Sequence, residues 1–144
     1  MASDLMLAFS ERHGVPARLS DEGGCIFTVA GQIEVHFHVV PESAEAFFYC
    51  AVGPLSLAAS AEQLVELLEA NHHWQGGGGA TLALDLGTLA LERLVALEPL
   101  DADALAELIA RTAEAVERLR RDHGELFAPG AGGPSQAWPA GKGL

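Results

Sequence analysis

Lysine is almost missing from this chain: Lys142 is the only one, and Lys+Arg total 8 against 20 Asp+Glu, for a net charge of −12. That deficit disfavours nucleic-acid binding, which needs a basic footprint on the protein. It equally disfavours insertion at anionic membrane surfaces. It suits solubility and a basic partner. Cysteine is scarce too. Cys25 and Cys50 are the whole complement, too few for a disulfide scaffold, and both fall among apolar residues of predicted strands, as reduced core thiols of a cytosolic protein do. No apolar run reaches the ~20 residues of a membrane span. The N-terminus has neither a basic start nor a long apolar stretch, so no signal peptide is expected.

What remains is an ordinary globular composition. Hydrophobic residues make up 49 % and charged residues 19 % of 144, which rules out an acidic disordered chain. The length implies one domain able to bury roughly 68–70 % of its unfolded surface.

The pattern along the chain predicts helix, three strands, helix, two strands, helix. Ser3 is a candidate cap for a helix over 4–13 with Leu5, Ala8 and Phe9 on one face, ended by Gly14 and Pro16. A turn at 21–24 leads to strands at 25–30, 32–40 and 45–52. Cys25, Phe27 and Val29 share a side, as do Ile33, Val35, Phe37 and Val39, and Ala46, Phe48, Cys50 and Val52. Gly31 marks a hairpin, and Gly53-Pro54 is expected to break the sheet. Ser60 and Gln63 form a capping box for a helix over 61–72, stopped by glycines 76–79. Strands at 80–86 and 88–97 turn at Leu86-Gly87. Asp101 caps a last helix whose stripe is Leu105, Leu108, Ile109, Thr112, Val116 and Leu119. The expected fold class is α+β, an antiparallel twisted sheet with helices packed on it. The domain is expected over 1–127. Residues 128–144, rich in proline and glycine, read as a disordered tail.

Candidate chemistry is sparse. The glycine run lacks the Gly-Lys-Ser/Thr of a phosphate loop, since Ala80 and Thr81 follow it, and it lies after a helix rather than before one. His36 and His38 share a strand face with Glu34, a partial zinc set with no further ligand pattern to complete it. His72 and His73, at a helix end, suit the terminal carbonyls. Cys25 and Cys50 share faces with Phe27 and Phe48, so burial rather than nucleophilic activity is expected. The reading is a protein that is not an enzyme, has no catalytic residue, cofactor or metal, and neither hydrolyses ATP nor holds zinc.

One feature is more than filler. Ile26, Thr28, His36, His38, Phe47 and Tyr49 project away from the main apolar stripe. If the helices all lie on the other side, these residues form an exposed, partly aromatic patch of the kind that marks a partner site. The alternative is that the second helix or a dimer mate covers part of it. On the exposed reading, truncating Phe47 and Tyr49 would leave melting nearly unchanged.

The stretch 71–86 links this organisation to a known family. Leu67-Leu68-x-x-Asn71, the glycines 76–79 and Leu82-Ala83-Leu84-Asp85 resemble the helix-to-strand junction of the class I type III secretion chaperones, the Tir chaperone family. The element order resembles that family over about 1–125. The resemblance implies a cytoplasmic bacterial homodimer without ATPase activity. It implies a secreted effector as partner, whose N-terminal segment winds around the dimer and stays secretion-competent, with the secretion-system ATPase as a further partner. It implies dimer contacts at Leu64, Val65, Leu68, Trp74, Leu82 and Leu84, and effector contacts at Leu5, Phe9, Ile26, Phe27, Phe47 and Tyr49. Two rival readings stand beside it: the same fold sequestering a secretion regulator, and a small-ligand α+β domain with a pocket between sheet and long helix.

Overall fold

The computed structural model describes residues 1–30, 32–72 and 76–128. Helix α1 (Ala2–His13) is followed by strands β1 (Gly24–Val29), β2 (Ile33–Val39) and β3 (Glu45–Pro54). Helix α2 (Ala61–Ala70), strands β4 (Thr81–Asp85) and β5 (Thr88–Ala96) and helix α3 (Ala102–Asp122) complete the order. The strands form one antiparallel sheet in the order β1-β2-β3-β5-β4. The predicted class and order hold.

Local chemistry explains most boundaries. Asp101 accepts a hydrogen bond from the Ala104 amide at 2.8 Å and starts α3, whose 21 residues extend over about 32 Å. The buried side of α3 includes Leu105, Ile109, Thr112, Val116 and Leu119 of the predicted stripe, with Leu108 half-buried beside it. Ser60 and Gln63 close the capping box of α2. Gly14 ends α1 with φ 66°. Ser3, however, lies inside α1, which begins from Met1 with no side-chain cap. The β4–β5 turn has φ 49° at Leu86 and 83° at Gly87, two left-handed residues in a row as a tight hairpin of this twist requires.

Two departures concern the middle of the chain. Gly53-Pro54 does not break the sheet. Strand β3 runs through Pro54, and a bulge at Val52 shifts its register against β5, which goes from Ala51↔Ala90 to Gly53↔Leu89. The Val52 carbonyl is satisfied from outside the sheet: Arg120 of α3 donates Nε–H to it at 2.8 Å. Proline is tolerated here because it sits at a strand end, where the missing N–H costs little. The domain also reaches past residue 127. Leu55 bridges Phe127, and the Ala128 amide donates to the Pro54 carbonyl at 2.9 Å. The rest of the proposed tail, 129–144, lies outside the described residues.

The junction at 71–86 has a mechanical role. The Leu82 amide donates to Asn71 Oδ1 at 2.9 Å, and Asn71 Nδ2 donates to the Leu82 carbonyl at 3.4 Å. The asparagine side chain thus acts as a short extra strand against the edge of β4 and ties the end of α2 to the sheet. Gly78 and Gly79 follow with φ 64° and 98°, and a Cβ on Gly79 would come within 2.9 Å of the Arg93 guanidinium.

The main core lies between the sheet and helices α1 and α3, with Phe37, Phe48, Val35, Val52 and Cys50 meeting Met6, Phe9, Leu105 and Val116. Phe37 and Phe48 pack edge-on, centroids 5.2 Å apart. A second cluster on the opposite face holds Phe47, Tyr49, Ala51 and Ala90, with Val40 against it. Here the expectation of exposed aromatics is corrected. Phe47 and Tyr49 are 8 % and 6 % exposed, because β3 is the central strand and His36 and His38 stand beside them on β2, Glu92 and Leu94 on β5. Phe48→Ala is therefore expected to cost about 3–5 kcal/mol, as truncating a core aromatic does. The Phe47→Ala, Tyr49→Ala pair is expected to lower stability as well rather than leave it unchanged. Urea denaturation of each purified variant checks both.

Candidate functional site

Strand alternation defines the second face residue by residue. Ile26, His36, Tyr49, Glu92 and Thr81 form one row across all five strands, and Gly24, His38, Phe47 and Leu94 form the next. In the contacts among the described residues, α3 packs on β1, β2 and β3, and α1 packs on α3. Their buried side chains belong to the main core. The second cluster is built from strand residues, with Val40 just beyond the end of β2. Its surface holds a hollow of about 330 Å³ over the β1–β3 half, floored by Phe47, Tyr49, His36 and His38 and rimmed by Ile26 and the 18–24 loop.

The strand positions of this face are acidic, while Arg18 and Glu22 stand on the rim of the hollow. No lysine or arginine occupies any of its strand positions. Glu34 stands on β2, its Oε2 3.6 Å from His36 Nε2. Glu92 on β5 and Asp85 on β4 stand on the other side of Tyr49. Burial raises the Tyr49 phenol, and Asp85 and then Glu92 push it further. Burial also raises the Glu92 carboxyl, with Asp85 adding to it. His36 is held low by burial, partly offset by Glu34.

The sequence-derived site residues divide between places. Ile26, Phe47 and Tyr49 meet on this face. Leu5, Phe9 and Phe27 lie on the other side of the sheet, buried in the main core, where the Phe9 and Phe27 rings meet at 5.1 Å. Residues 26 and 27 are neighbours in sequence and opposites in space, so the six do not form one surface. Of the residues expected at a dimer contact, Val65, Leu68 and Leu84 are 51 %, 72 % and 62 % exposed, and Leu64 is also exposed. Leu82 is half-buried against the core, and only Leu67 of α2 is buried. Trp74 lies outside the described residues, as does His73. Sequence reasoning missed Asp85, Glu92 and Leu94. For Glu92 and Leu94 the signal was the alternation of 90, 92 and 94 against the core set 89 and 91, which becomes meaningful only once β5 is known to lie beside β3.

Among the described residues no group of three or more His, Cys, Asp or Glu could hold a metal ion. Burial pushes the Cys50 thiol up to about 12 and raises that of Cys25. Both therefore stay protonated near neutral pH, the opposite of a nucleophilic thiolate.

Glu92 and His36 act oppositely on stability. Glu92 holds its proton more tightly in the folded protein, so its contribution is full below its ordinary value of 4.5 and is lost as pH rises through its raised folded value. His36 contributes fully above its ordinary 6.5 and loses that contribution as pH falls through its lowered folded value. Glu92→Gln is expected to raise Tm at neutral pH and to leave it unchanged in acid, measured by thermal melts across the pH range.

The fold has relatives among solved structures. The Yersinia pestis type III secretion chaperone SycH, in complex with a fragment of YscM2, aligns with TM-score 0.68 at 20 % identity over 83 % of this chain and 99 % of its own. The heterodimeric ExoU–SpcU complex from the type III secretion system of Pseudomonas aeruginosa aligns with TM-score 0.66 at 21 % identity, covering 90 % of this chain and 99 % of that one. The ExsC–ExsE complex gives 0.70 at 19 % identity over 83 % and 91 %. No curated protein sequence matches. At such identities the structures speak for the fold alone, but the profile of the Tir chaperone protein (CesT) family matches residues 5–120, and this chain, matched over most of its length, belongs to that family.

Proposed function

We propose that this protein is a homodimeric secretion chaperone that holds the N-terminal segment of a secreted effector in an extended, secretion-competent state. Family membership carries the reading, and the face of β1–β3 supports it. A hollow floored by desolvated aromatics on a sheet suits an extended chain whose side chains enter pockets while its backbone meets strand edges. The client is ordered on binding and loses that order on release, so no catalytic step is required. Ile26, Phe47 and Tyr49 form the contact surface on this reading. Leu5, Phe9 and Phe27 act from the opposite side, holding α1 against β1 and so fixing the edge the client meets. The protein works in the bacterial cytoplasm, with the secretion-system ATPase as the partner that receives the loaded complex.

Exposed leucines support the dimer. Leu64, Val65 and Leu68 leave α2 with an apolar side that the chain's own core does not use, and Leu84 adds to it from β4. Light scattering at micromolar concentration is expected to give about twice 15.1 kDa, and Leu68→Asp is expected to halve that mass, since a charge buried without a partner costs about 3–5 kcal/mol. A monomeric wild type would sink the dimer.

The client site is tested by hydrogen exchange on the full chain bound to an effector co-purified from its native cytoplasm. Protection is expected on β1–β3 and on a stretch near the effector's N-terminus. Binding that leaves the sheet face unprotected, or that requires a folded effector domain, would overturn the assignment.

A further inference from the structure

The face described above is chemically asymmetric in a way that its apolar character alone does not require. Its hollow lies over β1, β2 and the start of β3, between Ile26, His38 and Phe47. Beside the hollow stand two carboxylates: Glu92 is the direct neighbour of Tyr49 on β5, and Asp85, opposite Thr88 at the turn end of β4, is close enough to act on both Tyr49 and Glu92. Glu34 flanks the same row on β2. No lysine or arginine stands at a strand position of this face, and Arg18 lines the hollow from its rim. An occupant lying along the sheet meets a largely apolar cup with Arg18 and Glu22 on its rim, and then Glu92 and Asp85.

Resting on the assignment of this face as the client site, we propose that it selects extended segments in which a large apolar or aromatic side chain is followed, two or three residues away, by an arginine or lysine. The apolar side chain fills the hollow over Phe47, and the basic group lies between Glu92 and Asp85, against the Tyr49 ring. The spacing follows from the sheet. From Phe47 to Tyr49 is two residues along the strand and from Tyr49 to Glu92 one strand across, about 8 Å in all at roughly 3.3 Å per residue and 4.8 Å per strand. Two or three residues of extended chain cover that distance. A guanidinium is the better occupant of the pair, since it stacks on an aromatic ring while binding carboxylate bidentately. The raised Glu92 carboxyl agrees with this placement, because it reports like charge and desolvation that a bound cation would relieve. The chain's net charge of −12 acts in the same direction at longer range, speeding encounter with basic segments.

The test uses the full-length protein and three short synthetic peptides of glycine, serine and threonine: one with phenylalanine and arginine at this spacing, one with glutamate in place of the arginine, and one with alanine in place of the phenylalanine. Fluorescence anisotropy is expected to show binding of the first, at least about tenfold weaker binding of the other two, and a loss of affinity with added salt. Glu92→Gln and Asp85→Asn are each expected to reduce the preference for arginine over glutamate without lowering Tm, and Glu92→Arg to favour the glutamate peptide. Hydrogen exchange at β2 and β3 accompanies each titration and separates the two levels of the argument. If arginine and glutamate peptides bind equally well and both protect this face, the charge selection is wrong and the client site stands. If no peptide protects it, the proposal fails together with the choice of this face, while the dimer and the exchange experiment on the native effector still judge the chaperone reading.

Discussion

Strand β3 is buried on both of its faces from Ala46 to Gly53, and the rest of the molecule is arranged around keeping it so. Its core side carries Phe48, Cys50 and Val52 toward α1 and α3, and its other side carries Phe47, Tyr49 and Ala51. A strand this buried can leave no backbone group unpaired without a cost of one or more kcal/mol. Its ladder with β2 on one side and β5 on the other supplies most partners, and the bulge at Val52 is the place where the β5 ladder slips. Arg120 repairs that point from α3, so the same contact that completes the sheet also sets how the long helix lies across it. The register of β3 then determines which side chains meet on each face, because a slip of one residue would exchange the two sets.

The consequence for function is that one sheet has two unlike faces. The helix-covered face is apolar and closed. The other carries aromatic rings in its middle, with Glu34 to one side and Glu92 and Asp85 to the other, a mixture that burial makes more consequential, since charges near low-dielectric surface are weakly screened. Asn71 contributes at the far edge. By pairing with the backbone of Leu82 it holds α2 beside β4, with Leu67 in the core and Leu64, Val65 and Leu68 turned away from it. The family signature at 67–85 is thus a structural clasp as well as a mark of kinship: the asparagine makes the bond, and the glycines let the chain turn back into the sheet.

Much of this was legible in the residue order. Periods of 3.6 and 2, the Asp101 cap and the Ser60–Gln63 box placed α3, α2 and the strands to within a few residues, since these signals are local and each is satisfied by near neighbours in the chain. The errors also have physical reasons. Ser3 has the right chemistry for a cap, but α1 starts two residues earlier, at Ala2 with Met1 as its N-cap. Gly53-Pro54 looks like a break because proline usually is one, yet a strand end next to a bulge accepts it. The division of Phe47 and Tyr49 from Phe48 and Cys50 was correct, but their exposure was not. Alternation says which way a side chain points and nothing about what stands beside it.

The sequence by itself therefore determined the class of fold, the family, the two faces of each strand and the absence of any recognisable catalytic motif, all of which depend on spacing along one chain. The tertiary structure alone decided what is adjacent across chains of contact. It put β5 rather than β4 beside β3, and so brought Glu92 and Asp85 to Tyr49. It buried Leu5, Phe9 and Phe27 on the side opposite Ile26, and it sent Arg120 to a carbonyl 68 residues away. Strand order and long-range pairing are set by the packing free energy of the whole domain, which no local pattern encodes, and the charged end of the open face is a product of that order.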